Sequence, residues 1–371
     1  MTDSGTGKRI ALVGAGAVGS NVGGLLTRAG LDVTLIDPWP DHVEAMRTDG
    51  LHVELKEEQV LVPVKALHLH EVCTLAEPFD LVILACKSYD TRWLAELIKP
   101  YTVSNAVFVS LQNSINEEWL MPIVGYQNTL GCVLSISCEL WEPGRASRNT
   151  SFDRITFTVG EPSGRLTARL SELADMLSHA GGSSVTQNLW GARWSKLVLN
   201  TMGMPMAAIT GMMTREVVLD DDCMEACLAL GTESLRVGRA LGYDIEPIFG
   251  LRTEDLQTDP RNLLRKLITT LAARIGDARG TIWYDLRKGR RTETSFLCGL
   301  VADKARDAGL EAPMNEAMVR VMTSIERKGL APDRSNVRLL FEHAEGGVDV
   351  PVADAAPVGA SDHDSDAAEA I

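Results

Sequence analysis

The sequence has few aromatic residues, no excess of basic residues and no long apolar run. Aromatic side chains make up 5% of the 371 residues, and 36 Lys and Arg face 50 Asp and Glu, for a formal net charge of −14. Nucleic acids and anionic lipids bind basic surfaces, so neither is an expected partner. No apolar stretch reaches the roughly 20 residues of a membrane span or begins the chain like a secretory signal. We expect a soluble, cytoplasmic protein with a small-molecule substrate.

Cysteine is also scarce and irregularly placed. The seven cysteines form no even framework, which favours reduced thiols over disulfides. Cys223 and Cys227 have a spacing found in zinc sites, but no second pair of ligands follows them, so no metal is predicted. With 45% hydrophobic and 23% charged residues, the composition is that of a globular protein, and the length suggests two domains.

The first half of the chain alternates strand and helix patterns. An apolar strand at 9–13, an amphipathic helix at 17–29 and a strand at 32–36 predict the βαβ unit of a parallel sheet. Further segments follow the same rules: a hairpin over 51–66, strands at 81–86, 106–111, 130–140, 155–159 and 184–187, and helices at 91–98, 115–124 and 166–180. From 190 to 341 the pattern is helical. We therefore expect an α/β Rossmann-type domain over 1–188, an all-helical domain over 189–345 and a disordered acidic tail over 346–371.

A glycine-rich turn joins the first strand to the first helix. Gly14, Ala15, Gly16, Ala17, Val18 and Gly19 match G-x-G-x-x-G. The first glycine permits the tight turn, the second lets the backbone approach a pyrophosphate, and the third lets helix and strand pack closely. The free N–H groups of the helix then face the phosphates. The turn predicts a dinucleotide site.

Asp37 closes the next strand. A carboxylate there accepts hydrogen bonds from a ribose 2′-hydroxyl and repels a 2′-phosphate, so NAD is slightly favoured over NADP. Arg47, beyond the Pro38–Pro40 segment, is a candidate phosphate ligand that would favour NADP. Asp37 is also compatible with a turn residue before Pro38.

Carbonyl reduction with a nicotinamide needs a proton donor, and histidine is scarce where one is expected. Only His343 falls in the helical half, so the acid is predicted not to be His. Lys196 and Asn200, one turn apart on a helix with apolar neighbours, are candidates, because burial lowers the pKa of a lysine. On pattern alone Lys196 also fits a surface lysine, and Glu293 a salt-bridge partner.

At these residues the sequence resembles ketopantoate reductase (2-dehydropantoate 2-reductase), an enzyme of pantothenate biosynthesis, over about residues 8–340. The resemblance implies a Rossmann domain followed by a helical domain, as in 6-phosphogluconate dehydrogenase, with substrate held in the cleft between them. It also implies residue roles: the glycine turn and Lys87 near the cofactor, Asn113 of Gln112-Asn113-Ser114 at cofactor and substrate, Lys196 as catalytic lysine, Asn200 and Thr281 as substrate ligands, and Glu293 of Thr292-Glu293 as the carboxylate that holds the reacting hydroxyl.

Several positions depart from the pattern of that family. Met204 and Thr214 stand where the family often has substrate asparagines, Ser114 replaces a glycine, and Ser295 replaces an aspartate. The expected reaction is reversible hydride transfer to a 2-oxo acid, ketopantoate first. The open alternatives are a related dehydrogenase acting on a larger or less polar metabolite, and a nucleotide-sensing regulator without catalysis. The helical domain is the expected place of a homodimer contact, and no metal is implied.

Overall fold

The computed structural model describes residues 7–152, 154–247, 251–275 and 279–346. The predicted tail therefore lies outside the described residues, apart from Gly346. The first half of the chain folds around a sheet of eight strands in the order β12-β11-β8-β7-β6-β1-β2-β5. Its strands are β1 (Arg9–Val13), β2 (Asp32–Asp37), β5 (Lys65–His68), β6 (Phe79–Leu84), β7 (Thr102–Ser110), β8 (Thr129–Leu134), β11 (Ile155–Gly160) and β12 (Gly182–Thr186). All neighbours run parallel except β8 and β11.

The sheet is covered on both faces, as the wholly apolar strands predict. Successive residues of β1 point to opposite sides: Ile10 and Leu12 join one buried cluster, Ala11 and Val13 the other. The helices of this half are α1 (Ala17–Arg28), α2 (Pro40–Thr48), α3 (Thr91–Ile98), α4 (Glu117–Val124) and α5 (Ala168–Ser178). Mixed α/β structure around a Rossmann-like parallel sheet confirms the predicted fold class.

A second, four-stranded sheet was not predicted. It consists of β3 (Leu51–Glu54), β4 (Gln59–Val62), β9 (Cys138–Glu142) and β10 (Arg145–Arg148), in the order β4-β3-β10-β9. The predicted hairpin 51–66 is wrong in its second arm: Pro63 interrupts it, and the following β5 leaves to pair with β2. The predicted strand 130–140 divides into β8 and β9, which belong to different sheets.

The second half of the chain is helical, as predicted. Its helices are α6 (Leu189–Thr210), α7 (Thr214–Leu219), α8 (Asp221–Ala240), α9 (Pro260–Ile275), α10 (Thr281–Arg287), α11 (Thr294–Asp307), α12 (Pro313–Glu326) and α13 (Asn336–Ala344). The long α6 lies among the others, and 20 of its 22 residues are buried. In the part of the chain that the structure describes, none of these helices has the length and apolarity to cross a membrane.

Candidate active site

A cleft of about 540 Å³ lies where the two halves of the chain meet. It opens at the carboxyl ends of the parallel strands. It lies beside the neighbouring strands β1 and β6, from which the chain continues to opposite sides of the sheet. Open α/β sheets bind ligands at this crevice. The cleft is lined by residues that follow β1, β2, β5, β6, β7 and β8, by β9, and by α6, α10 and the segment before α11.

The glycine turn forms one wall of the cleft. Gly14 has a φ of +91°, and a side chain there would come within 2.6 Å of the Cys86 backbone nitrogen. A Cβ on Gly19 would lie 2.1 Å from the Gly14 carbonyl oxygen, so α1 can pack on β1 only without one. Around Gly16, by contrast, a Cβ would meet no atom within 4 Å. This glycine precedes α1, and its bare backbone leaves the space that a pyrophosphate needs at the helix N-terminus.

Asp37 lies at the carboxyl end of β2, where the sequence places it. Its side chain is buried, and Oδ1 accepts the Trp39 N–H at 2.9 Å. Burial raises the pKa of Asp37 to about 6, although the Trp39 N–H and the charge of Arg290 oppose the shift. The predicted alternative, Arg47, is committed elsewhere: its guanidinium donates to the Ala66 carbonyl at 2.9 Å and pairs with Glu71.

Lys196 projects from the buried α6 into the cleft. Its side chain is 91% buried, and Nζ donates to the carbonyl of Leu134, at the end of β8. Burial, reinforced by the positive charge of Arg193, lowers the pKa of Lys196 to about 7. The amine therefore holds and releases a proton near neutral pH, which suits a general acid and base.

Glu293 is held by residues that follow β6. Its Oε1 accepts the N–H of Ser88 at 2.9 Å and its hydroxyl at 2.8 Å, and Oε2 lies 3.6 Å from Lys87 Nζ. Lys87 also pairs with Asp285 of α10. Although burial opposes it, the charges of Glu293 and Asp285 raise the pKa of Lys87, which therefore stays protonated. In the described structure, the hydrogen bonds and ion pairs of the Glu293 carboxylate are made with Ser88 and Lys87 rather than with Lys196.

The three predicted substrate ligands also meet in or beside the cleft. Asn200 Nδ2 donates to Asn113 Oδ1 at 3.3 Å, which joins α6 to the loop after β7. Asn113 and Thr281 line the cleft, whereas Asn200 is outside the lining and contacts Asn113 through this hydrogen bond. The hydroxyl of Thr281 faces the sulfur of Met204 at 3.5 Å. Gly19 stands apart from the lining because its role is in helix packing.

Two residues that position this site carry no recognisable sequence signal. Arg193 is fully buried, pairs with Glu117 of α4, and donates to the Ser110 carbonyl at 2.8 Å, so it fixes α6 to the end of β7. Nδ1 of His42 accepts a hydrogen bond from the Gly144 N–H at 2.8 Å, and Nε2 donates one to the Ala15 carbonyl at 2.9 Å. It thus ties the glycine turn to the small sheet. No local pattern links these residues to their partners.

Comparison with known proteins identifies the family of the chain. The family model described as ketopantoate reductase PanE/ApbA matches residues 10–162, and the model of its C-terminal part matches residues 188–326. The chain belongs to the ketopantoate reductase family. As a member, it is an oxidoreductase that acts on a CH–OH/C=O pair. The resemblance to ketopantoate reductase predicted from the sequence is confirmed.

Individual relatives support the same family. A 2-dehydropantoate 2-reductase of Archaeoglobus fulgidus is 28% identical over 322 residues, which cover 86% of this chain and 98% of that protein. One from Pyrococcus horikoshii is 29% identical, with the same coverage. The crystal structure of a PanE/ApbA family ketopantoate reductase from Ralstonia eutropha JMP134 is 27% identical, has a TM-score of 0.74 and covers 86% of this chain and 99% of its own. D-mandelate dehydrogenase, solved with NADH and anilino(oxo)acetate, shares the fold at 19% identity, with the same coverage and a TM-score of 0.75.

Proposed function

We propose that this protein reduces the 2-oxo group of 2-dehydropantoate (ketopantoate) to pantoate, reversibly and with a nicotinamide dinucleotide. The observation that carries the proposal is the buried Lys196, with a pKa of about 7, in the same cleft as the glycine turn and Glu293. A regulator that only senses nucleotide has no need of a lysine desolvated in this place.

The residues present fit a dinucleotide. The open space at Gly16, together with the N–H groups that begin α1, suits the pyrophosphate, and Asp37 suits a ribose hydroxyl. Lys87 and Asn113 line the cleft farther along, between the turn and Lys196. When bound in its reduced form, the nicotinamide supplies the hydride. Asp37 makes NAD the slightly favoured form.

Lys196 supplies the proton. Its ammonium faces the cleft from α6 and donates to the oxygen that becomes the alcohol, and in the reverse direction the neutral amine removes the hydroxyl proton. The hydrogen bond to the Leu134 carbonyl orients the Lys196 Nζ for this transfer. Because the group is desolvated, a modest change of charge nearby shifts its proton affinity strongly.

Three polar groups orient the substrate around Lys196. Glu293, fixed by Ser88, accepts a hydrogen bond from the reacting hydroxyl. Asn113 holds the substrate beside Lys196, with its own amide fixed by the hydrogen bond from Asn200, and Thr281 contacts the substrate carboxylate. Burial in the closed cleft excludes water from these contacts.

The decisive experiment is the initial rate with ketopantoate, followed through nicotinamide absorbance with NADH and with NADPH. Lys196→Gln should lose about 10²- to 10⁴-fold in kcat while nucleotide affinity is retained. Lys266→Gln, which removes a half-exposed lysine paired with Asp255, is the matched control. Wild-type turnover in Lys196→Gln would contradict the acid assignment.

A less polar 2-oxo acid is the second candidate substrate. The observation behind it is the apolar part of the cleft lining: Leu134, Ile136, Cys138 and Leu140 line the cleft, and Met204 lies beside Thr281. A panel that includes pyruvate, 2-oxoisovalerate and phenylglyoxylate, ranked by kcat/KM, separates the candidates. If ketopantoate is not turned over although nucleotide binds, the substrate assignment is overturned in favour of the panel member with the highest value.

A further inference from the structure

The cleft ends at Asp37 on the side away from Lys196. In Rossmann folds, the acid that closes the second strand meets the ribose of the adenosine half of the cofactor. Asp37 alone would repel a phosphate on the 2′ position of that ribose. The charge at this end of the cleft therefore decides between the phosphorylated and unphosphorylated dinucleotides.

A cation from the other half of the chain reaches this end. Gly289, with a φ of +64°, follows α10 and turns the chain, and the next residue, Arg290, donates its N–H to the Asp285 carbonyl at 2.9 Å. The Arg290 guanidinium carbon then lies 5.7 Å from the ring centre of Trp39, two residues beyond Asp37. Its charge is close enough to oppose the burial that raises the pKa of Asp37.

Among the residues that the structure describes, the guanidinium of Arg290 has a ring contact but no hydrogen-bond or ion-pair partner. Four cations line the described cleft, and three of them have oxygen acceptors: Lys87 pairs with Asp285, Lys196 donates to Leu134, and Lys288 donates to Leu140. Within the described ranges, Arg290 makes its side-chain contact with the Trp39 ring. A guanidinium that lies over an aromatic face and has free N–H groups is suited to form bidentate hydrogen bonds with a phosphate.

We propose that Arg290 receives the 2′-phosphate of a phosphorylated dinucleotide and so offsets Asp37, which makes cofactor selection a joint property of both halves of the chain. The inference rests on the proposed nucleotide site. Arg290 is then a specificity-determining residue: with it the protein accepts both cofactors, and without it only NAD.

The test is a calorimetric titration of the full chain with adenosine 2′,5′-bisphosphate and with AMP, which differ only in the 2′-phosphate. The titration is carried out at low salt, because a high salt concentration screens the interaction between exposed charges. Arg290→Gln should weaken the bisphosphate by about tenfold and leave AMP unchanged, the loss expected of one charge-assisted contact. Asp37→Asn should strengthen the bisphosphate. Arg287→Gln, an exposed arginine of α10 that lies over Trp283 instead, should change neither.

The outcomes separate the inference from the proposed function. If Arg290→Gln weakens both ligands equally, or neither, Arg290 does not bind the 2′-phosphate and the inference is wrong, while the nucleotide site stands. If the wild type binds AMP but not the bisphosphate, the inference is also wrong. If the wild type binds neither ligand, nor NADH nor NADPH, the nucleotide site itself fails. A matching fall in kcat/KM for NADPH, but not for NADH, in Arg290→Gln would extend the result to turnover.

Discussion

The amine of Lys196 gives this protein its clearest pH signature. Burial and Arg193 lower the pKa of Lys196 to about 7, so Nζ is protonated below pH 7 and neutral above it. Reduction needs the protonated form, and kcat for reduction should fall as pH rises through 7. Oxidation needs the neutral amine, and its kcat should fall as pH drops through 7. Rates in both directions between pH 5 and 9, at saturating nucleotide, test this.

The control for this profile removes the nearby charge. Arg193→Met takes away the cation that lowers the pKa of Lys196, so in a variant that still folds both pH midpoints should move upward together. If the reductive rate of the wild type stays level up to pH 9, Lys196 titrates elsewhere and is not the acid as described.

At the same scale, the sequence allowed the side chains of the site to be predicted, but not the residues with which they pair. The spacing of Lys196 and Asn200 placed both on one helix, and the resemblance supplied their roles. The partner of Lys87, however, is Asp285, 198 residues away, and that of Arg193 is Glu117, 76 residues away. Such pairs form only when the two halves assemble, so no local pattern contains them.

At the scale of the element, two glycines of the turn have different roles: Gly19 is needed for packing α1 on β1, and Gly16 for binding the dinucleotide. Gly19→Ala would place a methyl group against the Gly14 carbonyl, and should lower the free energy of unfolding by about 1–3 kcal/mol. Gly16→Ala meets open space, so its unfolding should change by no more than about 0.5 kcal/mol, while affinity for dinucleotide falls. Urea unfolding and calorimetric titration of both variants provide the comparison. Loss of stability in Gly16→Ala, with affinity intact, would reverse the assignment.

The join between α6 and α4 depends on a buried charge pair. Arg193→Met leaves the carboxylate of Glu117 enclosed without its partner, which should cost about 3–5 kcal/mol in unfolding free energy. Adding Glu117→Leu removes the stranded charge and should recover part of that loss. The carbonyl of Ser110 still lacks its donor, so recovery stays incomplete. Urea unfolding of the two single variants and the double variant measures the coupling, and strict additivity of the losses would contradict it.

The boundaries of strands and helices were predictable where a local pattern determines them. The prediction was wrong where neighbouring segments pair with strands of different sheets. The strand at Arg9–Val13 and the helix after Gly16 follow from apolar spacing and the turn. Residues 60–66 carry one continuous apolar pattern, yet Pro63 has no N–H to pair, and the chain changes sheets there. Which sheet receives each arm is decided by pairing with β2 and β3, which the pattern does not specify.

At the scale of the whole molecule, the small sheet and the helical half are joined across the mouth of the cleft. Tyr284 of α10 donates its hydroxyl to Glu139 of β9 at 3.1 Å, and its ring packs edge-on against Trp141. Lys288 donates to the Leu140 carbonyl and lies over the Trp141 ring at 4.7 Å. These contacts, which we name the β9–α10 clasp, join residues of both halves that line the cleft.

The clasp should stabilise the closed cleft, in which the site excludes water, and so raise apparent affinity. Tyr284→Phe removes one hydrogen bond, worth about 0.5–1.5 kcal/mol, and should therefore raise KM for the 2-oxo acid by roughly 2- to 10-fold. Besides burial, the groups that shift the pKa of Lys196 are Arg193, Cys132 and Glu293, and Tyr284 is not one of them, so the pH midpoint of kcat should stay in place. Tyr126→Phe, at a tyrosine that is 52% exposed and outside the cleft lining, is the control. Hydrogen exchange gives a second readout: Tyr284→Phe should speed exchange in β9 and leave β1 unchanged. Unaltered exchange in β9 together with an unaltered KM would show that the two halves close without the clasp.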